Sequence, residues 1–112
     1  LTELIRTLKA LSDETRLNLV KLLLKHNYCV GALSKQLNIS KSAVSQHLKI
    51  LRVAGIVKGE KRGYYTHYFV NRELLKDTAS KIVELSNLAP ADKGCTKNMS
   101  DGKTCCSKED LI

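Results

Sequence analysis

Three of the four cysteines, Cys95, Cys105 and Cys106, fall within one polar stretch, "CTKNMSDGKTCCSKED" at 95–110, and two of them are adjacent. Thiolates are soft donors and select soft ions. Three sulfurs suit a three-coordinate centre such as As(III) or Sb(III), with Cd(II) and Pb(II) as further thiophilic ions of the same class. Closing the loop from Cys95 to Cys105 costs little chain entropy, which grows slowly with length, and Gly102 offers a bend. Lys93, Lys97, Lys103 and Lys108 surround the thiols and favour their ionisation. Cys29 stands apart, in "YCVGAL", as a further sulfur or as a small buried apolar residue. Two other readings stay open: a tail with incidental cysteines, and a redox switch in which Cys29 or Cys95 pairs with Cys105 or Cys106. A thiol enzyme is disfavoured, because there is no CxxC and no Cys/His spacing that suggests a catalytic pair. A structural disulfide is not expected of a reduced, cytoplasmic chain, and cytoplasmic is the reading taken here: no apolar run nears the roughly 20 residues of a membrane span, and no signal-peptide pattern is present.

A second set of residues points to an anionic partner. The chain carries a formal charge of +8. Residues 1–88 hold 15 Lys or Arg against 7 Asp or Glu, whereas 89–112 hold four of each and sum to zero. Within 35–62 there are seven basic residues, and Glu60 is the only acid. Such a segment fits nucleic acid, although a solvated basic face is the plain alternative. The same segment contains Ser40, Lys41, Ser42, Ser45, Gln46, His47 and Lys49, short hydroxyl, amide and basic side chains of the kind that reach base edges and phosphates. Lys61 and Arg62 follow shortly after.

The elements that must position these residues are legible from period and punctuation. "TELIRTLKAL" (2–11) carries Leu4, Ile5, Leu8 and Leu11 at helical spacing. "SDET" offers Ser12 or Asp13 as an N-cap, and the helix after it is apolar at Leu17, Val20, Leu23 and Leu24, widened by Leu19 and Leu22. "VGALSKQLN" is a short helix with Leu33 and Leu37 inward, ending at Asn38 in a left-handed conformation. Ser40 then caps a helix with the stripe Val44, Leu48 and Leu51, closed by Gly55. Two short helices across a tight turn make a helix-turn-helix. "IVKGE" and "YYTHYFV" flank "KRG" as a hairpin with Gly63 in the turn and Lys61 and Arg62 at its tip. A last helix places Leu74, Leu75, Thr78, Ile82 and Leu85 on one side, with Pro90 beyond it. The fold class expected is mainly α with a two-stranded β-hairpin wing, a winged helix-turn-helix, over 1–88, followed by a cysteine-containing tail over 89–112.

"LKALSDETRLNLVKLLL", "CVGALSKQLNISKSAVSQHLKILRVAGIV" and "KRGYYTHYFV", in this order over about residues 4–85, resemble the ArsR/SmtB family of bacterial metal-sensing repressors. The resemblance implies a homodimer, built on the first and last helices, that binds double-stranded operator DNA and releases it when an inducer binds. Apolar stripes on 2–11 and 72–88 fit that interface and would equally serve an internal core. Arsenic- and cadmium-sensing members carry "CVC" where this chain has Cys29 and Gly31, so the full thiolate site of that helix is missing. Zinc-type members carry Asp, His and Glu on the last helix, whereas His26, His47 and His67 all lie upstream of it. Some arsenic-responsive members place cysteines, a vicinal pair included, at the C-terminal end, as here. Persulfide-sensing members place a cysteine inside the second helix, where this chain has Lys21. His47 falls where the family often carries a histidine in the recognition helix, and is read as DNA-facing or packing. Taken together, the expectation is a repressor induced by As(III) or another thiophilic ion through Cys95, Cys105 and Cys106, with Cys29 as an optional ligand and a thiol redox or persulfide sensor as the alternative.

Overall fold

The computed structural model describes residues 1–90. Its elements are α1 (Thr2–Leu11), α2 (Glu14–Lys25), α3 (Val30–Leu37), α4 (Lys41–Val53), β1 (Val57–Arg62), β2 (Tyr65–Val70) and α5 (Arg72–Ser86). This is the winged helix-turn-helix expected from the sequence, and local chemistry explains its boundaries. Of the two candidate caps before α2, Asp13 serves: its Oδ2 accepts the Arg16 backbone N–H at 3.0 Å. Ser40 Oγ accepts the Ala43 N–H at 3.0 Å and starts α4, and Asn71 Oδ1 accepts the Leu74 N–H at 3.2 Å and starts α5. These caps satisfy donors that a helix start otherwise leaves orphaned.

The stops are equally local. Asn38 adopts φ 56° and ψ 47°, ending α3 in the left-handed region. At the end of α4, Ile56 N–H donates to the Leu51 carbonyl and Gly55 N–H to that of Arg52, both at 2.9 Å, around Gly55 at φ +82°. That pair of bonds is a Schellman motif, with buried Leu51 and Ile56 as its apolar partners. The chain is thereby aimed straight into the wing. The wing is an antiparallel hairpin with Val57 opposite Val70 and Arg62 opposite Tyr65. Its turn is Gly63-Tyr64, and Gly63 at φ +66° with no positive φ at Tyr64 fits a type II′ connection. Lys61 and Arg62 therefore end β1 and do not form the turn itself. On one face Tyr68 lies over Gly59, where a Cβ would stand only 2.9 Å from its ring.

One core serves all elements. Leu19, Val20 and Leu23 of α2, Leu33 of α3, Val44, Leu48 and Leu51 of α4, and Ile56, Val57 and Val70 at the wing base form a single buried cluster with Ala10. The apolar stripes of the outer helices, open in the sequence between an interface and an internal core, divide between buried and exposed residues. Leu4 is buried, but Ile5 and Leu8 of α1 and Ile82 and Leu85 of α5 are exposed, as is Leu17 of α2. A helix at the edge of a small domain has neighbours on one side only, so a wide stripe overflows the core. The two buried threonines, Thr7 and Thr78, return their hydroxyls to the carbonyls of Glu3 and Leu74 one turn back. No helix among the described residues is long and apolar enough to cross a membrane.

The Arg16 backbone N–H on its Oδ2 holds the Asp13 carboxyl below the usual carboxylate range; the Arg16 and His47 charges add to this, against a smaller opposing effect of desolvation. A carboxylate lowered in the folded state contributes stability above its unfolded pKa, near 4, and loses it as pH falls through the folded value. Asp13→Asn is expected to keep the cap and flatten that acid limb. Thermal melts of both proteins between pH 5 and pH 2 check it, and parallel curves would refute it.

Candidate nucleic-acid interface

α4 is two-faced because its apolar residues recur at the helical period. Val44, Leu48 and Leu51 are sealed in the core, while Lys41, Ser42, Ser45, Gln46 and Lys49 are exposed on the opposite side. Ser40 spends its oxygen lone pair on the cap, which leaves its hydroxyl proton free to donate. The first turn of α4 contains no acid and begins with Lys41. A cation at a helix N-terminus opposes the macrodipole. The N–H groups of Lys41 and Ser42 have no intrahelical carbonyl to meet. Both features are resolved by one anion seated at that end. Among the described residues, neither Lys41, Lys49 nor Lys61 is ion-paired.

His47 does not share the exposed row. It is half-buried, with Nδ1 3.4 Å from an Arg16 terminal nitrogen. Arg16 also donates its Nε–H to the Ala10 carbonyl at 2.6 Å. One guanidinium thus ties the end of α1, the start of α2 and the middle of α4. This joint was not singled out from the sequence. Its signal was present: an arginine in the first turn of a helix is misplaced with respect to the dipole and needs a tertiary reason.

The wing offers Lys61, Arg62, Tyr64 and Tyr65 to solvent. Arg62 is already engaged, however, donating from Nε and a terminal nitrogen to Glu60 Oε1 at 3.0 and 2.8 Å. Glu60 is the single acid in the basic segment, and it engages the Arg62 guanidinium. Glu60→Gln is expected to raise affinity for duplex DNA about three- to tenfold, the scale of one released charge-assisted contact. Fluorescence anisotropy at fixed salt measures this, and unchanged affinity would place Arg62 away from the backbone.

Cys29 is half-buried at the N-terminal end of α3, and its thiol makes no capping bond. Its backbone forms an antiparallel bridge with His67 of β2, beside a Tyr68 N–H to Tyr28 carbonyl bond of 3.0 Å. The wing is therefore stitched to the start of the helix-turn-helix. His67 Nδ1 is buried there without a hydrogen-bond partner among the described residues. No group of three His, Cys, Asp or Glu side chains suited to a metal ion occurs among the described residues. Cys95, Cys105 and Cys106 lie outside the described residues.

Comparison with known proteins agrees with this geometry. Residues 13–58 match the family described as bacterial regulatory protein, arsR family. The transcriptional repressor SdpR of Bacillus subtilis is 31% identical over 84 residues, covering 75% of this chain and 93% of its own. An arsenical resistance operon repressor of Staphylococcus xylosus is 33% identical over 102 residues, covering 90% of this chain and 95% of its own. Among solved structures, an ArsR-like transcriptional regulator from Rhodococcus sp. RHA1 superposes with a TM-score of 0.72 at 26% identity, over 94% of this chain and 96% of that one. With the helix-turn-helix, the wing and these relatives in agreement, the chain belongs to the arsR family of bacterial regulatory proteins, as a DNA-binding transcriptional regulator and not an enzyme.

Proposed function

We propose that the protein is a homodimeric repressor that holds operator DNA through α4 and the wing, and releases it when a thiophilic metalloid, As(III) first, binds its C-terminal cysteines. The observation that carries the DNA reading is the one-sidedness of α4. Ser42, Ser45 and Gln46 are aimed outward for base edges by the burial of Val44, Leu48 and Leu51. Ser40, Lys41 and Lys49, with Lys61 and Arg62 on the wing, take the phosphates. His47 acts from behind, through its packing against Arg16.

The dimer reading rests on the apolar surface left over from the core. Leu1 just before α1 and Ile5 and Leu8 within it are exposed, together with Ile82, Val83, Leu85 and Leu88 at the end of α5 and just beyond it. The two helices are already joined by Glu3 and Lys81 at 3.9 Å. Leu1, Leu4, Leu85 and Leu88 line a shared hollow of about 270 Å³. A second copy related by a two-fold axis would bury this surface against itself. Residues 1–88 then form the DNA-binding and dimerisation unit, and 89–112 the sensor.

The arsenic reading is supported by the donor set of Cys95, Cys105 and Cys106. It is supported further by the Staphylococcus xylosus relative, named for arsenical resistance. That match covers 90% of this chain, whereas residues 1–90 of 112 amount to about 80% of it, so the similarity runs on past residue 90. Cys29 is the candidate fourth sulfur. A ligand there would pull on the start of α3 and, through the His67 bridge, on the wing. Release follows if the bound state spaces the two α4 helices badly for half-sites one helical turn, about 34–36 Å, apart. Coupling of about 1–3 kcal/mol is the usual scale for such a switch.

The test is operator anisotropy with the reduced protein, titrated separately with arsenite, cadmium, zinc and a polysulfide. Arsenite is expected to lower affinity roughly 5- to 150-fold, and Cys105→Ser with Cys106→Ser to abolish that response while leaving basal binding intact. Release by polysulfide alone would replace the metalloid reading with the thiol redox one.

A further inference from the structure

On the side of α1 turned away from Leu1, Ile5 and Leu8 there is a groove against α4. With about 3.6 residues per turn, Arg6, Lys9 and Ala10 project from the other flank of that helix. The groove has a volume of about 360 Å³, within the roughly 300–1,000 Å³ range of small-molecule pockets. Its lining is almost wholly apolar, made by Ala10, Ile50, Val53 and Ala54 with the hydrocarbon stems of Arg6, Lys9 and Lys49. Ile50 and Val53 are 44% and 71% exposed, unusual for branched aliphatics on a helix whose other face is fully packed.

The charge of the lining is one-signed and uncompensated. α4 contains no acid. On α1 the only carboxylate, Glu3, leans toward Lys81 of α5 at 3.9 Å. Asp13 is held by the Arg16 N–H. Arg6, Lys9 and Lys49 make no ion pair among the described residues. A separate hollow of about 240 Å³, lined by Glu3, Thr7, Gly55, Asn71 and Leu74 as well, shares Arg6 and Ala54 with the groove.

We infer that this groove between α1 and α4 is a binding site for a small apolar anion, an aliphatic or aromatic carboxylic acid whose body lies on Ile50 and Val53 and whose carboxylate meets Arg6, Lys9 and Lys49. The apolar floor supplies the non-directional part of the affinity. Cations that make no ion pair among the described residues supply the selectivity for a negative head, and arginine can hold a carboxylate in two-point fashion. The site uses no cysteine and shares only Lys49 with the residues proposed to meet DNA. It would give the regulator a second input, acting directly on the helix that carries the exposed row of α4.

The experiment follows methyl resonances of the full reduced chain, without DNA, during titration with decanoate below its micelle concentration; decan-1-ol and decyltrimethylammonium are the neutral and cationic controls. Saturable shifts are expected at Ile50 and Val53, with decanoate binding about tenfold more tightly than decanol, the scale of one charge-assisted contact. Arg6→Gln with Lys9→Gln is expected to remove that tenfold advantage while decanol binding and the melting temperature hold. Equal binding of the alcohol or the cation would overturn the proposal. So would shifts confined to Ile5, Leu8, Ile82 and Leu85, or Ile50 and Val53 signals that move with protein concentration alone, which would mean that a second copy covers the groove.

Discussion

Lys41→Glu combined with Lys49→Glu is expected to weaken operator binding at least a hundredfold at moderate salt, the largest functional loss available from surface residues. Both lysines are exposed on α4 and unpaired among the described residues. On the proposed interface, reversal would remove two phosphate contacts and place two like charges against the backbone. In a homodimer each change counts twice. Each lost contact should lower the salt slope of log K by about 0.9, so the slope of the dimer falls by roughly 3 to 4. Ser42→Ala and Gln46→Ala should behave differently. On the proposed interface they would take away hydrogen bonds to base edges, each worth about 1–3 kcal/mol of discrimination, so the specific site should suffer and non-specific DNA should not. Anisotropy against operator and scrambled duplexes, each at several salt concentrations, separates the two behaviours. A Lys41/Lys49 double variant with an unchanged salt slope would remove α4 from the interface.

Leu48→Ala should have the largest effect on stability, about 2–5 kcal/mol. Leu48 is 1% exposed at the centre of the cluster that α2, α3, α4 and the wing base share. Deleting its branch leaves a cavity that several elements would have to move to fill. Against a total of about 5–15 kcal/mol for a domain of this size, that is a large fraction. At about 4–8 °C per kcal/mol, melting falls by at least roughly 8 °C. Ile50→Ala, two residues along the same helix, exposes the contrast. Its side chain is 44% accessible, and the loss should stay near 0.5 kcal/mol. Thermal melts at one protomer concentration compare them, because dimerisation would make melting depend on concentration. Equal losses would contradict the two-faced packing of α4 on which the interface depends.

The two predictions share a cause. The stripe Val44, Leu48 and Leu51 rotates Ser42, Ser45 and Gln46 outward, so loosening the stripe should also blur the presentation of the row. The joint at Arg16 fixes the same helix from its flank, through the Ala10 carbonyl and His47.

The element order, the wing and the exposed row of α4 were legible in the sequence because they depend on contacts within a few residues. Asp13, Ser40 and Asn71 cap helices by bonding N–H groups three positions on. Asn38, Gly55 and Gly63 stop or turn the chain through their own φ angles. The period of about 3.6 residues separates Leu48 from Gln46 without reference to any distant partner. What lay beyond the sequence was every choice made between elements far apart in the chain. Ile5, Leu8, Ile82 and Leu85 fit an interface or a core equally by period, and only the shape of the assembled domain decides how much of each stripe it can cover. Lys61 and Arg62 read as a basic tip, yet the register of the hairpin ends β1 at Arg62 and leaves its guanidinium on Glu60. Arg16 meets His47 across 31 residues, and Cys29 meets His67 across 38. The groove between Arg6, Lys9 and Val53 exists only because α1 crosses α4. Short-range bonding and periodicity are properties of the chain; burial, pairing and cavities are properties of the packing, and only the tertiary structure decides them.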